Sequence, residues 1–117
     1  DASSQHISLT ARAEILVIAP ATANLLAKLA AGIADDLVTT LALAAHGACP
    51  LLLAPAMNQR MWAAPPTQAN LARLQDWGVG TVGPAHGRLA CGDDGPGRMA
   101  EPGDVLDAIV QVLSGNA

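Results

Sequence analysis

Pro50-Leu51-Leu52-Leu53-Ala54-Pro55-Ala56-Met57-Asn58-Gln59-Arg60-Met61-Trp62 is the stretch on which the fold turns. Its first part is an unbroken apolar run bounded by prolines. Such a run fits a strand covered on both faces, as in a parallel sheet. Asn58 follows three residues beyond Pro55. In an open α/β sheet, ligands bind in the crevice outside the carboxyl ends of the strands. The Asn58 carboxamide would stand there, able both to donate and to accept hydrogen bonds. It can bind a carboxylate through its NH₂ group or cap a helix, and the two roles are compatible.

The same grammar recurs upstream. Glu14-Ile15-Leu16-Val17-Ile18-Ala19 reads as another fully covered strand, ended by Pro20. Ala21-Thr22-Ala23-Asn24 then makes a strand-to-helix turn with two candidate N-caps, Thr22 and Asn24. A helix follows with Leu25, Leu26, Leu29, Ala30 and Ile33 in its pattern and Gly32 near its end. Asp35 and Asp36 open a second helix carrying Leu37, Val38, Leu41, Ala44 and Ala45, which ends at Gly47. Beyond the Asn58 stretch, Pro65-Pro66-Thr67 begins a helix with Leu71, Leu74 and Trp77 on its face, stopped by Gly78. Val79 to Val82 is a short third strand. Residues 83–103 read as a loop, a length that in a compact domain is usually functional. Asp104 is the expected cap of a last helix whose apolar face is Val105, Leu106, Ile109, Val110 and Leu113.

Strands alternating with helices predict an α/β fold: a Rossmann-like (flavodoxin-like) three-layer sandwich with a parallel sheet. With 117 residues the chain is one domain at most, spanning 1–117. Three strands make a thin sheet for burial on both faces. Further strands on the N-terminal side, or another chain, are expected to cover it.

Composition narrows the function. At 51% hydrophobic and 14% charged, the chain can build a core. An aromatic content of 2% leaves no platform for stacking bases, and a net charge of −4 leaves no basic stripe for a phosphate backbone. Nucleic acid is therefore not an expected partner. Cys49 and Cys91 are too few for a disulfide framework or a four-ligand zinc site, so reduced thiols in a cytoplasmic protein are expected and no metal is. No stretch is long and apolar enough for a membrane span.

Three side chains stand out chemically. Cys91 sits in the glycine-rich run Gly87 to Met99. A thiol with an ordinary pKa of about 8.5 is mostly protonated at neutral pH and can serve as a general acid. The alternative is a small buried apolar residue. His6 can accept a proton near neutrality, or is an ordinary surface histidine. Asn58 completes the set. Met57, Met61 and Trp62 read as packing rather than ligand contacts, Cys49 as structural, and His46 and His86 carry no motif. The Thr22–Leu25 turn can offer backbone N–H groups to an anionic cofactor, or simply cap a helix. The GxGxxG pattern is absent, which disfavours a nicotinamide-binding domain.

Taken in order, His6-Ile7-Ser8-Leu9, Ala19-Pro20-Ala21-Thr22-Ala23-Asn24, Pro55 to Trp62, and Leu89-Ala90-Cys91-Gly92-Asp93 with Gly95-Pro96-Gly97-Arg98-Met99 resemble the flavin-containing cysteine decarboxylases, specifically the phosphopantothenoylcysteine decarboxylases of coenzyme A biosynthesis. The resemblance implies FMN as cofactor. It implies oxidation of the substrate's cysteine to a thioaldehyde, loss of CO₂, and reduction to 4′-phosphopantetheine. It gives His6 the role of base in the oxidative half, Asn58 the substrate carboxylate, and Cys91 the proton donation of the reductive half. It places FMN against Thr22, Ala23, Asn24, Leu25 and Ala56, and the substrate against Asn58, Arg88, Ala90 and Met99. It implies a homotrimer, or four trimers in a dodecamer. Family members begin with a strand and a glycine- and serine-containing turn for the FMN phosphate. That segment would precede Asp1, so the domain is expected to be partial at its N-terminus. Peptidyl-cysteine decarboxylases of lantibiotic maturation and non-catalytic phosphatase-regulating relatives share the likeness, as does, more distantly, a flavin prenyltransferase.

Overall fold

The computed structural model describes residues 13–88 and 94–115, with positions 87, 88 and 94–96 described through their backbone alone. Three parallel strands form the main sheet: β1 (Leu16–Ala21), β2 (Leu51–Pro55) and β3 (Gly80–Thr81), in the order β1-β2-β3. Helices α1 (Ala23–Ala31) and α2 (Leu37–Ala45) join β1 to β2. Helices α3 (Gln59–Ala63) and α4 (Pro65–Asp76) join β2 to β3, and α5 (Pro102–Leu113) closes the chain. Helices lie on both faces of the sheet, giving the expected three-layer α/β sandwich.

The central strand explains the apolar run. Every residue of β2 is buried, because it alone has a hydrogen-bonded strand on each side and helices above and below. Leu51 and Leu53 point into a cluster with Leu26, Leu29 and Ala30 of α1, Ala42 of α2, Leu74 of α4, and Val79. Leu52, on the opposite face, lies over Gly80, where an added Cβ would stand 3.2 Å from its Cδ1.

Several sequence expectations are corrected. Pro20 does not end β1. The strand runs through it to Ala21, with an irregular register between Ile18 and Ala21. Among the described residues β1 is an edge, where a residue without an N–H is tolerated. Helix α2 buries Thr39, Ala42 and Ala45 and leaves Leu37, Val38 and Leu43 exposed. The buried Thr39 is held in a capping box with Asp36, its amide donating to Asp36 Oδ1 at 2.8 Å. Trp77 is exposed, lying edge-on to His46 rather than in the core. Ile33 falls beyond α1, whose end is set by Gly32 in the left-handed conformation.

The region 83–103 is no plain loop. Strands β4 (Ala85–Arg88) and β5 (Asp94–Arg98) pair antiparallel as a separate hairpin. Glycine and proline density hid it, since neither residue favours strands. The last helix begins earlier than Asp104: Glu101 holds the N-cap position without a side-chain bond, and Pro102 stands at the first helical position, where its missing N–H costs nothing. The apolar stripe of α5 is not core. Leu106, Val110 and Leu113 are exposed.

Candidate active site

The carboxyl ends of β1 and β2 are tied together by the Ala56 amide, which donates to the Ala21 carbonyl at 3.0 Å. Each strand then turns into a helix. After β1, Thr22 takes an extended conformation and its Oγ1 accepts from the Leu25 amide at 3.1 Å. Thr22, not Asn24, is the cap. The first amides of a helix have no partner within it, so those of Ala23 and Asn24 stay available at the positive end of α1.

After β2, Asn58 does the same job with a different side chain. Its Oδ1 accepts from the Met61 amide at 2.9 Å, and its carbonyl accepts from Trp62. Among the described residues the NH₂ group makes no hydrogen bond, and the side chain is exposed. The oxygen therefore caps α3, and the NH₂ group has no partner among the described residues.

The hairpin meets this turn directly. The Met57 amide donates to the Gly97 carbonyl at 2.8 Å. Met99 follows two residues later and is half-buried. At the hairpin's base Arg98 pairs with Glu101 at 2.6 Å, an exposed ion pair. Met57 packs against the core, whereas Met61 is exposed and does not.

Thr22, Ala23, Asn24, Leu25, Ala56 and Asn58 thus lie just beyond the ends of two adjacent strands, and Met99 follows β5, whose Gly97 contacts Met57. The backbone of Arg88 lies in β4, opposite Asp94. His6, Ala90 and Cys91 lie outside the described residues. The Gly97 contact went unseen in the sequence, although Gly95-Pro96-Gly97 was a signal for something irregular.

At these strand ends the side chains of Ala21, Ala23 and Ala56 are small, and the first amides of α1, without helical partners, stand at its positive end, a setting that suits an anionic cofactor. No group of three or more His, Cys, Asp or Glu among the described residues is arranged to hold a metal ion.

A crevice of this kind, at the strand ends of a parallel sheet and without a dinucleotide fingerprint, is that of a flavodoxin-like flavin site. The flavoprotein family pattern matches residues 1–114, and the chain belongs to that family. Among curated relatives, the coenzyme A biosynthesis bifunctional protein CoaBC of Vibrio vulnificus is 50% identical over 102 residues, covering 87% of this chain and 25% of that protein. CoaBC of Escherichia coli K12 is 46% identical over 114 residues, covering 97% of this chain and 28% of that one. The chain therefore spans about a quarter of the length of these relatives. Among solved structures, a PPC decarboxylase variant complexed with pantothenoylaminoethenethiol superposes with a TM-score of 0.86 at 41% identity, over 95% of this chain and 60% of that one. The FMN-binding protein AtHal3 gives 0.83 at 42% identity, over 97% and 61%. The FMN-dependent cysteine decarboxylase SpaF gives 0.75 at 40%, over 95% and 57%.

Proposed function

We propose that this domain is an FMN-dependent carboxy-lyase of coenzyme A biosynthesis, converting 4′-phosphopantothenoyl-L-cysteine to 4′-phosphopantetheine and CO₂. The observation that supports the reading is the placement of Asn58 just beyond the carboxyl end of the central strand, its oxygen capping α3 and its NH₂ group without a partner among the described residues. The conversion is redox-neutral overall, the cysteine moiety being oxidised before CO₂ leaves and reduced afterwards. FMN, when bound, supplies the reversible electron sink that this needs. Asn58 donates to the substrate carboxylate and orients it for departure. The amides of Ala23 and Asn24, with Thr22, Leu25 and Ala56, hold the cofactor's edge in place. His6 takes the proton in the oxidative half, and Cys91 returns one in the reductive half. Arg88, Ala90 and Met99 line the substrate side.

We further infer a homotrimer, or four trimers in a dodecamer, in the cytoplasm. Exposed Leu106, Val110 and Leu113 on α5 and Leu37, Val38 and Leu43 on α2 support burial against other copies.

The test is a visible absorption spectrum of the protein with FMN, before and after anaerobic addition of phosphopantothenoylcysteine. A flavin band that changes as CO₂ is released supports the reading. A band that ignores this substrate and answers a peptide ending in cysteine would move the assignment to the peptidyl-cysteine decarboxylases. No flavin band even with FMN added would leave two explanations, an N-terminal segment needed to hold FMN or a non-catalytic relative, and a protein extended upstream would separate them.

A further inference from the structure

The hairpin's pairing contains one residue too many. Ala85 faces Arg98 and His86 faces Pro96, which leaves Gly97 as a bulge. A bulged residue drops out of its own ladder and bends the strand. Gly97 does so at φ 141°, in the region that side chains rarely adopt. Its carbonyl, freed from the hairpin, accepts the Met57 amide at 2.8 Å.

The approach behind that bond is unusually close. A Cβ on Gly97 would overlap the Met57 carbonyl oxygen, and would stand 3.2 Å from the Met57 carbonyl carbon and 3.3 Å from that of Asn58. All three atoms are backbone, so no rotamer change relieves the overlap. A second tight point sits at the hairpin's base, where a Cβ on Gly83 would stand 3.0 Å from that of Ala100. Ala100 is itself buried. Two glycine contacts therefore fix the hairpin, and one bears on the main chain of Asn58 itself.

We propose that Gly97 is a positioning residue for decarboxylation: its bulge seats the β4–β5 hairpin on the Met57–Asn58 backbone and sets the aim of the Asn58 carboxamide. This rests on the decarboxylase reading of the site. Helix α3 has no buried residue, so the core anchors the Asn58 turn only from its other side, through Met57, and the clasp at the Met57 amide adds a second restraint there.

The test compares the FMN-loaded wild type with Gly97→Ala and Gly103→Ala. Gly103 lies in the first turn of α5, where an added Cβ meets nothing within 4 Å. Hydrogen exchange in the wild type should show the Met57 amide protected although it lies outside any helix or strand. Met57 exchanging as fast as free loop would overturn the clasp before any variant is made. In Gly97→Ala, Met57 protection should fall while Leu52 and Leu53 keep theirs. The kcat on phosphopantothenoylcysteine should drop by about 100-fold, with KM moving less, the size expected when a reacting group is misplaced by about 1 Å. Gly103→Ala should match the wild type in both readouts. Unchanged Met57 exchange in Gly97→Ala, or faster exchange with kcat intact, would overturn the proposal. A wild type that releases no CO₂ would sink the decarboxylase reading instead, while the exchange data would still decide the clasp.

Discussion

The two strand-to-helix turns of this domain are built alike and held differently. Thr22 and Asn58 each follow a strand, each adopt extended backbone, and each accept from the amide three residues on. Behind Thr22 stands a nine-residue helix with Leu26, Leu29 and Ala30 in the core. Behind Asn58 stands a five-residue helix with no buried residue. The first turn is fixed from below by packing. The second is fixed from the side, by Met57 packing against the core and by the Met57 amide's hydrogen bond to a bulged glycine. A turn held by core packing is insulated from whatever binds above it. One held partly by a hairpin shares its position with that hairpin, which suits the role proposed for Asn58.

The difference can be broken experimentally, most strongly at its foundation. Leu26 is fully buried, and Leu26→Ala should destabilise the domain by about 2–5 kcal/mol, read by urea denaturation. No single side chain of α3 should match it; Arg60→Ala, on the exposed side of that helix, should stay within about 0.5 kcal/mol. Asn58→Asp separates the two jobs of the carboxamide. An Asp oxygen still accepts from Met61, so denaturation should shift little, Asn and Asp being about equal as caps. Turnover should fall by about 100-fold or more, the usual loss when one preorganised donor is removed. Equal losses of stability and turnover would show instead that Asn58 is only a cap. Thr22→Ala should cost about 1 kcal/mol of stability, since its neighbours in α1 remain packed.

The smallest effect uses a third cap. Asp36 accepts from the Thr39 amide and hydroxyl, and these bonds hold its carboxyl below the ordinary 3.8. A folded-state pKa below the unfolded one means stability that is present above 3.8 and lost as pH falls through the folded value. Acid should therefore loosen α2 first, seen as exchange at Thr39 and Thr40, while the neutral caps Thr22 and Asn58 keep α1 and α3 unchanged. The same logic runs the other way for Lys28, which is raised above 10.5 chiefly by its hydrogen bond to Asp35. That contribution is complete below 10.5 and fades as pH rises past it.

Much of this was legible in the linear chain. The apolar run 51–54 named the central strand, because only a strand covered on both faces needs four consecutive buried positions. Caps at Thr22 and Asn58 were legible as candidates, because a cap is a local bond between residues three apart, whereas Asp36 read only as an acid opening its helix. The sequence by itself therefore determined the α/β alternation, the turns, and the residues standing at the strand ends. Which helix faces are buried was decided only in three dimensions. Leu37, Leu106 and Val110 fit an apolar periodicity and still lie exposed, since periodicity says which residues share a face, not whether anything covers it. The hairpin within residues 83–103, and the seat of Gly97 on the Asn58 backbone, also emerged only in the fold. The hairpin is a local pairing that its glycines and proline disguise, whereas the seat of Gly97 joins residues forty apart in the chain, where no local propensity acts and only the close approach of two backbones requires a glycine.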